Sequence, residues 1–312
     1  MLHRFAQLTA IATYVLLLVG GLVHGTGSSL ACPDWPLCHG QVFPAMEHGV
    51  EYEHSHRLVA AAVSVLTVAL AVWLFVDKRD RSLRPLAVAA PLMVFAQALL
   101  GGLTVIFKLP RFITLSHLTL SMCFFSVTVV VALRTRESPP TMPRADRGTR
   151  TIVGAAAASV LGQILLGGFV RHSMAGLACL TFPLCFGHVW PPESTSSGSE
   201  RLHMLHRFGA VLVAAMVVWA AVRVLRHLRD GAGDARSARR LAKALPAIVL
   251  VQITLGVLSV TTLLHLPVVE THLAVGALLL GTLVALWTRL GAYAALPVVT
   301  EGAASPAASV PA

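Results

Sequence analysis

The feature that most constrains this 312-residue chain is a series of eight apolar stretches, each long enough at about 20 residues to cross a bilayer. In lipid such stretches must be helical, because every backbone N–H and C=O needs a partner within the segment. The mean hydropathy of +0.75 and a charged fraction of only 12% also exclude an ordinary soluble domain. The sequence therefore predicts an all-α integral membrane protein with eight transmembrane helices near residues 9–26, 56–76, 86–107, 113–133, 151–170, 203–225, 245–264 and 268–290.

The Lys and Arg residues are distributed unequally between the two sides of these helices. One set of alternate connections, with the terminal segments, carries 18 of the 24, and the other set carries six. Because positively charged connections stay in the cytoplasm, we expect both termini to be cytoplasmic. The net charge of +10 is then a topology signal, and no nucleic acid is expected as a partner.

The second organising feature is an internal duplication. Matching residues recur at an offset that drifts from 147 through 150 to 155, and the drift falls in loops. The matches pair Gly20-Gly21 with Gly167-Gly168, Leu30–Cys38 with Leu177–Cys185, His56-Arg57 with His206-Arg207, Gln97 with Gln252, Gly101 with Gly256, and His117-Leu118 with His272-Leu273. Each half has an even number of helices, so the halves share one orientation. We predict two pseudo-symmetric four-helix bundles at 1–136 and 151–295, a cytoplasmic linker at 137–150 and a disordered tail at 296–312.

Four histidines share one depth near the outer ends of the even-numbered predicted helices: His56, His117, His206 and His272. An ionisable side chain inside a membrane is a functional hypothesis by default, because burying it without a partner is costly. Two imidazoles that face each other across a four-helix bundle suit axial ligation of haem iron, whereas copper and zinc usually take more ligands. A single histidine near a helix end is more often an interfacial hydrogen-bonding group, but two repeat-related pairs favour ligation.

Three arginines lie near these histidines: Arg57, Arg207 and Arg171. Arginine is a natural partner for a carboxylate such as a haem propionate, so all three are candidate cofactor-binding residues. The alternative is that each one only extends toward the membrane surface.

The two halves differ just before the first histidine of each. Glu53 precedes His56 by three residues and shares its helix face, whereas His203 stands at the matching position before His206. A carboxylate on one side only predicts a reactive site in the N-terminal half and an electron-transfer or structural site in the C-terminal half. In the N-terminal half the Glu53 carboxylate could orient or deprotonate water, or stabilise a carbocation. The alternative is a solvated loop acid.

Two cysteine pairs with five intervening residues lie in the two long outer loops: Cys32 with Cys38, and Cys179 with Cys185. An outer loop faces an oxidising space, where such pairs can form lasting disulfides. A disulfide would stiffen the loop above each site. The alternative is a redox-active thiol pair, for which the loop beside Glu53 is the better candidate.

The chain closely resembles the haem A synthase family of the bacterial type with four loop cysteines. The residues that carry this resemblance are Gly25–Cys38, Glu53-x-x-His56-Arg57, His117, His206-Arg207 and His272. The resemblance covers residues 1–295. It implies haem b held by His206 and His272, and substrate haem O near His56 and His117 in the N-terminal half.

The resemblance further implies oxidation of the C8 methyl group of haem O to a formyl group by successive hydroxylations. Glu53 matches an essential glutamate of the family, and Cys32 and Cys38 match its disulfide-forming pair. The family position corresponding to Arg171 is often basic in the first half as well, but here it is His24. This departure concerns how one substrate propionate is neutralised.

The resemblance and the logic of the pathway also set expectations about location and partners. We expect a bacterial inner-membrane protein with the cysteine loops on the outer face. The expected partners are haem O synthase (the protohaem farnesyltransferase), cytochrome oxidase assembly, an unidentified electron acceptor and a second copy in a homo-oligomer.

Three other functions compete with a haem O oxidoreductase. A di-haem b-type cytochrome that only transfers electrons would not need a carboxylate such as Glu53 in one half and none at the matching position in the other. A thiol–quinone oxidoreductase would leave the four histidines unexplained, and its cysteine spacing would be unusual. A transporter is disfavoured because the apolar stretches lack acids at mid-depth and lack paired Gly/Pro-broken segments.

Overall fold

The computed structural model describes residues 1–77, 81–136, 146–193, 198–229 and 236–291. Within these ranges the chain forms eight long α-helices and no strands, with one short 3-10 helix at Arg81–Leu83. All eight helices are long and apolar enough to span a membrane. They are α1 Leu2–Gly25, α2 Val50–Val76, α3 Arg84–Ile106, α4 Arg111–Arg134, α5 Arg147–His172, α6 Ser199–His227, α7 Arg236–Thr261 and α8 Leu266–Gly291. The predicted all-α, eight-span fold class is confirmed.

Several helices begin earlier than the apolar pattern predicts. The predicted starts at residues 9, 56 and 245 correspond to helices that begin at Leu2, Val50 and Arg236. The reason is that hydropathy detects only the lipid-facing part of a helix, whereas backbone hydrogen bonding continues through polar turns at its ends. Residues 137–145 of the predicted linker and the whole predicted tail at 296–312 lie outside the described residues.

The eight helices pack as two groups of four. In the first group α1 packs on α2 and α4, and α3 lies between α2 and α4; α5–α8 repeat this arrangement. Each group contributes an apolar core; the larger one is built around Val217, Leu245 and Leu283 and extends across to Met122 of α4. The two groups meet through α1, α4, α5 and α8.

Repeat-related glycines allow the two groups to approach closely. A Cβ at Gly21 of α1 would overlap Leu273 and Glu270 of α8. A Cβ at Gly168 of α5 would overlap Leu118 of α4 in the same way. These two glycines therefore have a packing role at the interface between the groups, which explains why the duplication preserves them.

Two prolines also occupy repeat-related positions inside helices, Pro91 in α3 and Pro246 in α7. The sequence interpretation missed this pair. Both helices continue through their proline, so neither is a broken helix of the kind that forms a transporter's binding site.

Candidate functional site

The four predicted histidines lie about two helical turns from the end of the bundle that carries the disulfide loops, here called the disulfide end. Three of them are the seventh residue of their helix, and His206 is the eighth residue of α6. His56 interacts electrostatically with His117, and His206 does so with His272. The structure thus brings the histidines together as one pair in each group of four helices.

Each histidine ring is packed against a glycine of the preceding helix. The position that a Cβ would take at these glycines lies 3.0–3.3 Å from the Cε1 atom of the facing ring, closer than a normal contact. The pairs are Gly20 with His56, Gly101 with His117, Gly167 with His206, and Gly256 with His272. The glycines therefore form cradles that hold the four rings in one arrangement.

These rings fit the requirements of haem iron. All four are half-buried, and the Nδ1 atoms of His56, His117 and His272 are buried without a hydrogen-bond partner among the described residues. In each pair the Cε1 atom faces the cradle glycine, and in His117 Nδ1 is the nearer of the two ring nitrogens to that glycine, which leaves Nε2 to ligate a metal. Two neutral imidazoles in an apolar bundle are the donor set that a six-coordinate haem takes.

Three glutamines surround the histidines. Gln97 donates to the backbone carbonyl of His117 at 2.9 Å, and its repeat-related partner Gln252 lies 3.4 Å from His272 Nε2. Gln163 donates to the His206 carbonyl at 2.7 Å and lies 3.0 Å from its Nδ1. Sequence reasoning missed Gln163, because the matching residue in α1 is Leu16 and the duplication therefore does not mark it. Its signal was a polar side chain in the middle of an apolar stretch.

Glu53 is a buried residue and not a solvated loop acid. It is 4% exposed; its Oε2 accepts from the backbone N–H of Cys32 at 2.9 Å, and its Oε1 accepts from Arg57 at 2.6 Å. At the matching position His203 is also buried, and its Nδ1 lies 3.3 Å from the N–H of Cys179. Glu53 and His203 thus contact the backbone N–H of repeat-related cysteines, Cys32 and Cys179, but only Glu53 does so with a carboxylate.

Arg57 and Arg207 contact the disulfide loops through their guanidinium groups. Arg57 donates to the carbonyls of Asp34 at 2.8 Å, Cys32 at 3.3 Å and also Leu37. Arg207 makes the matching contacts in the second loop, to carbonyls of Thr181, Pro183, Leu184 and Cys179. These bonds fasten each loop to the helix that carries a site histidine.

The third candidate arginine, Arg171, has a different partner. Its guanidinium lies 3.3 Å from the carboxylate of Glu270 in α8, which is 11% exposed and whose Oε2 has no partner among the described residues. The matching positions in the first half are His24 and Leu115. The rings of His24 and His172 are 4.7 Å apart, so this polar cluster lies where the two groups of helices meet. Sequence reasoning missed Glu270.

Both predicted disulfides are formed, Cys32–Cys38 and Cys179–Cys185. All four cysteines are buried beneath loops whose tips are exposed. In the first loop the backbone N–H groups of Gly40 and His39 donate to Asp34 at 2.7 and 2.6 Å and hold the pKa of this carboxyl below its usual value. Thr181 takes the place of Asp34 in the second loop and accepts from Phe186 at 2.6 Å.

Comparison with known proteins agrees with this geometry. A family model described as cytochrome oxidase assembly protein, COX15-CtaA, matches residues 3–55 and 48–284 and so covers most of the chain. The chain belongs to this family. The haem A synthase resemblance that the sequence motifs indicate is therefore confirmed at the level of the family.

Similar proteins named heme A synthase cover most of the chain. That of Alkalihalophilus pseudofirmus is 33% identical over 73% of this chain and 79% of its own length. That of Bacillus licheniformis is 32% identical over 72% of this chain and 75% of its own length. That of Shewanella oneidensis is 26% identical over 89% of this chain and 93% of its own length.

Proposed function

We propose that this chain is a haem A synthase, an oxidoreductase that converts the C8 methyl group of haem O into a formyl group. For each methyl group the net change takes up one water molecule and releases four electrons and four protons, two of the protons from the methyl group and two from the water. It proceeds through successive hydroxylations of the same carbon. The observation that carries this proposal is a histidine pair in each half, with a buried carboxylate one helical turn before the first histidine of the pair, Glu53 before His56, in only one half.

The inequality of the two halves assigns their roles. In the N-terminal half, 1–136, we assign His56 and His117 to the substrate haem O, because Glu53 lies one helical turn from His56. In the C-terminal half, 151–295, we assign His206 and His272 to a resident haem b. This haem would supply electron transfer, which needs axial imidazoles but no neighbouring carboxylate.

Glu53 has the environment of a residue that handles a proton from water. Its two oxygens each accept one hydrogen bond, from Cys32 and Arg57, and each retains a lone pair. Arg57 keeps a positive charge beside the carboxylate, and the Cys32 N–H fixes its orientation. We propose that Glu53 accepts the proton that a water molecule loses as its oxygen becomes bonded to the substrate carbon.

The three arginines remain proposed partners of haem propionates. A propionate would compete with loop carbonyls for Arg57 and Arg207, and with Glu270 for Arg171. Arg57 and Arg207 would then link haem occupancy to the position of the disulfide loops, because each guanidinium would contact both a propionate and the carbonyls of its loop.

The proposal also includes location and partners. The protein is a multi-pass membrane protein, and the unequal charge of its connections supports cytoplasmic termini and outer disulfide loops in a bacterial inner membrane. The substrate haem O would come from the protohaem farnesyltransferase, and the product would go to cytochrome oxidase. The proposal also includes an external electron acceptor and a second copy of the chain in a homo-oligomer.

A ligand-by-ligand experiment tests the division of labour. The full-length protein and its His206→Ala and His117→Ala variants would be purified in detergent after co-expression with a haem O synthase, and their haem content measured. His206→Ala should lose haem b, whereas His117→Ala should retain haem b and form no haem A. If both variants lose the same haem, the two halves do not have separate roles.

A further inference from the structure

His54 is buried beside the first disulfide without any partner of its own. The residue is 6% exposed, and both of its ring nitrogens are buried without a hydrogen bond among the described residues. Leaving one buried polar group unpaired costs about 1–3 kcal/mol. His54 is therefore expected to have a partner in some other state of the protein.

The ring lies within reach of both sulfur atoms of the disulfide. One ligand atom from each of Cys32, Cys38 and His54 can be chosen so that all three lie within 4.8 Å of one another. In a tetrahedral zinc site the metal–sulfur and metal–nitrogen bond lengths place neighbouring ligand atoms roughly 3.5–3.8 Å apart. To reach these spacings the two sulfur atoms must separate from 2.00 Å once the S–S bond is broken, and the His54 nitrogen starts no more than 4.8 Å from either.

Packing alone does not explain a histidine at this position. The matching residue in the second half, at the offset that pairs His56 with His206, is Met204. Met204 is 1% exposed and packs against Cys179 and Cys185. An apolar side chain thus fills the same space beneath the other disulfide, so the imidazole of His54 adds a donor that packing does not need.

We propose that Cys32, Cys38 and His54 bind one thiophilic cation with a filled d shell, Zn²⁺ or Cu⁺, when the Cys32–Cys38 disulfide is reduced. Two thiolates and an imidazole are the ligands that such ions select. This site is separate from the haem histidines, and its existence does not depend on the proposed function.

Binding requires a reductant and releases protons. An external dithiol of the thioredoxin class transfers two electrons and two protons; the S–S bond breaks, two cysteine thiols form, and the dithiol becomes a disulfide. The cation then displaces both thiol protons to water and accepts the lone pair of one His54 nitrogen. Two thiolates neutralise Zn²⁺, and the neighbouring Glu53 and Arg57 already neutralise each other.

The test uses full-length protein in detergent, in a Cys179→Ser/Cys185→Ser background that removes the other dithiol. Oxidised and dithiol-reduced samples are titrated without oxygen with Zn²⁺, with Co²⁺ as a spectroscopic reporter of thiolate ligation, and separately with Cu⁺ against a chromophoric chelator. We expect one additional ion per chain after reduction, and the tighter of the two ions identifies the cation.

The control replaces the donor without changing the packing. His54→Met copies the second half and should lower the affinity of the reduced protein for Zn²⁺ about tenfold or more. Because a thioether can also bind Cu⁺, the Cu⁺ titration uses His54→Gln instead. The elution volume and haem content of His54→Met should match those of the parent. If reduction creates no site in the His54-containing protein, or if His54→Met and a second variant, His54→Gln, bind as tightly as the parent, the proposal is wrong.

Discussion

Glu53 and Cys32 are joined by a hydrogen bond of 2.9 Å between the Glu53 carboxylate and the backbone N–H that begins the first disulfide loop. In the second half His203 lies at the matching place, 3.3 Å from the N–H of Cys179. The architecture is thus repeated while the charge is not. This difference beside the first histidine of each half is the reason for proposing that the reactive chemistry lies in the first half.

Replacing Glu53 by glutamine should separate its two roles. The amide oxygen can still accept from Cys32, and Arg57 loses its bond to residue 53 but keeps its loop carbonyls, so the loop and the haem content should be retained. The amide cannot accept a proton from water. We expect haem A formation to fall about 100-fold or more. The matched control is Glu47→Gln, since Glu47 is exposed and its substitution should leave haem A formation unchanged. Wild-type haem A levels in Glu53→Gln would contradict a proton-accepting role.

The glycine cradles predict a specific defect in haem binding. A Cβ at Gly167 would lie 3.0 Å from Cε1 of His206, so Gly167→Ala should tilt the ring. We expect this variant to lose haem b or to show an altered axial-ligand spectrum. Gly162→Ala in the same helix is the control, because a Cβ at Gly162 meets nothing within 4 Å. Equal haem content and identical spectra in both variants would show that the cradle does not hold His206.

The Arg171–Glu270 pair predicts a rescue by double substitution. Arg171→Ala leaves the buried carboxylate of Glu270 unpaired and should cost about 1–3 kcal/mol of stability, measured as a lower melting temperature in detergent. Glu270→Leu copies Leu115 of the first half, so adding it to Arg171→Ala should restore most of the stability. A double variant no more stable than Arg171→Ala would contradict this account. A loss of haem that the second substitution does not rescue would instead support Arg171 as a propionate partner.

The first disulfide loop should respond to acid, and the second should not. Because the pKa of Asp34 is depressed in the folded loop, its stabilising effect is complete above the usual carboxyl pKa and is lost as the pH falls through the lower folded value. Below about pH 4, a phosphine reductant should therefore reduce Cys32–Cys38 progressively faster. Cys179–Cys185 lies beneath a loop held by Thr181, which has no carboxyl group, and should show no such change. Parallel acid responses of both disulfides, measured by mass spectrometry of alkylated cysteines, would exclude this role for Asp34.

The sequence was sufficient to predict the architecture because a membrane leaves few alternatives. Apolar length determined the number of helices, and the duplication showed which histidines correspond. The common depth of His56 and His117 followed from their placement in the first one or two turns of even-numbered predicted helices, and in the structure each is the seventh residue of its helix. What hydropathy did not predict was the polar extension of α2 to Val50, which makes Glu53 a helical residue.

The contacts of the site could not be predicted from symmetry or composition. Arg57 contacts the loop carbonyls because the loop folds back over the start of α2, and a sequence pattern contains no information about that path. Gln163 and Glu270 have apolar counterparts in the other half, so the comparison of the repeats passes over both. A search for repeated residues finds positions that are the same in both halves, so it misses a functional residue that is present in only one half.

The measurement that tests the central claim most directly is the haem composition of membranes in which the wild-type chain is expressed together with a haem O synthase. Haem would be extracted and separated by chromatography, with membranes that contain only the haem O synthase as the reference. The account predicts haem A in the sample with this chain and only haem B and haem O in the reference. If the chain holds low-spin haem and yet yields no haem A, it is an electron-transferring cytochrome and the proposed function is wrong.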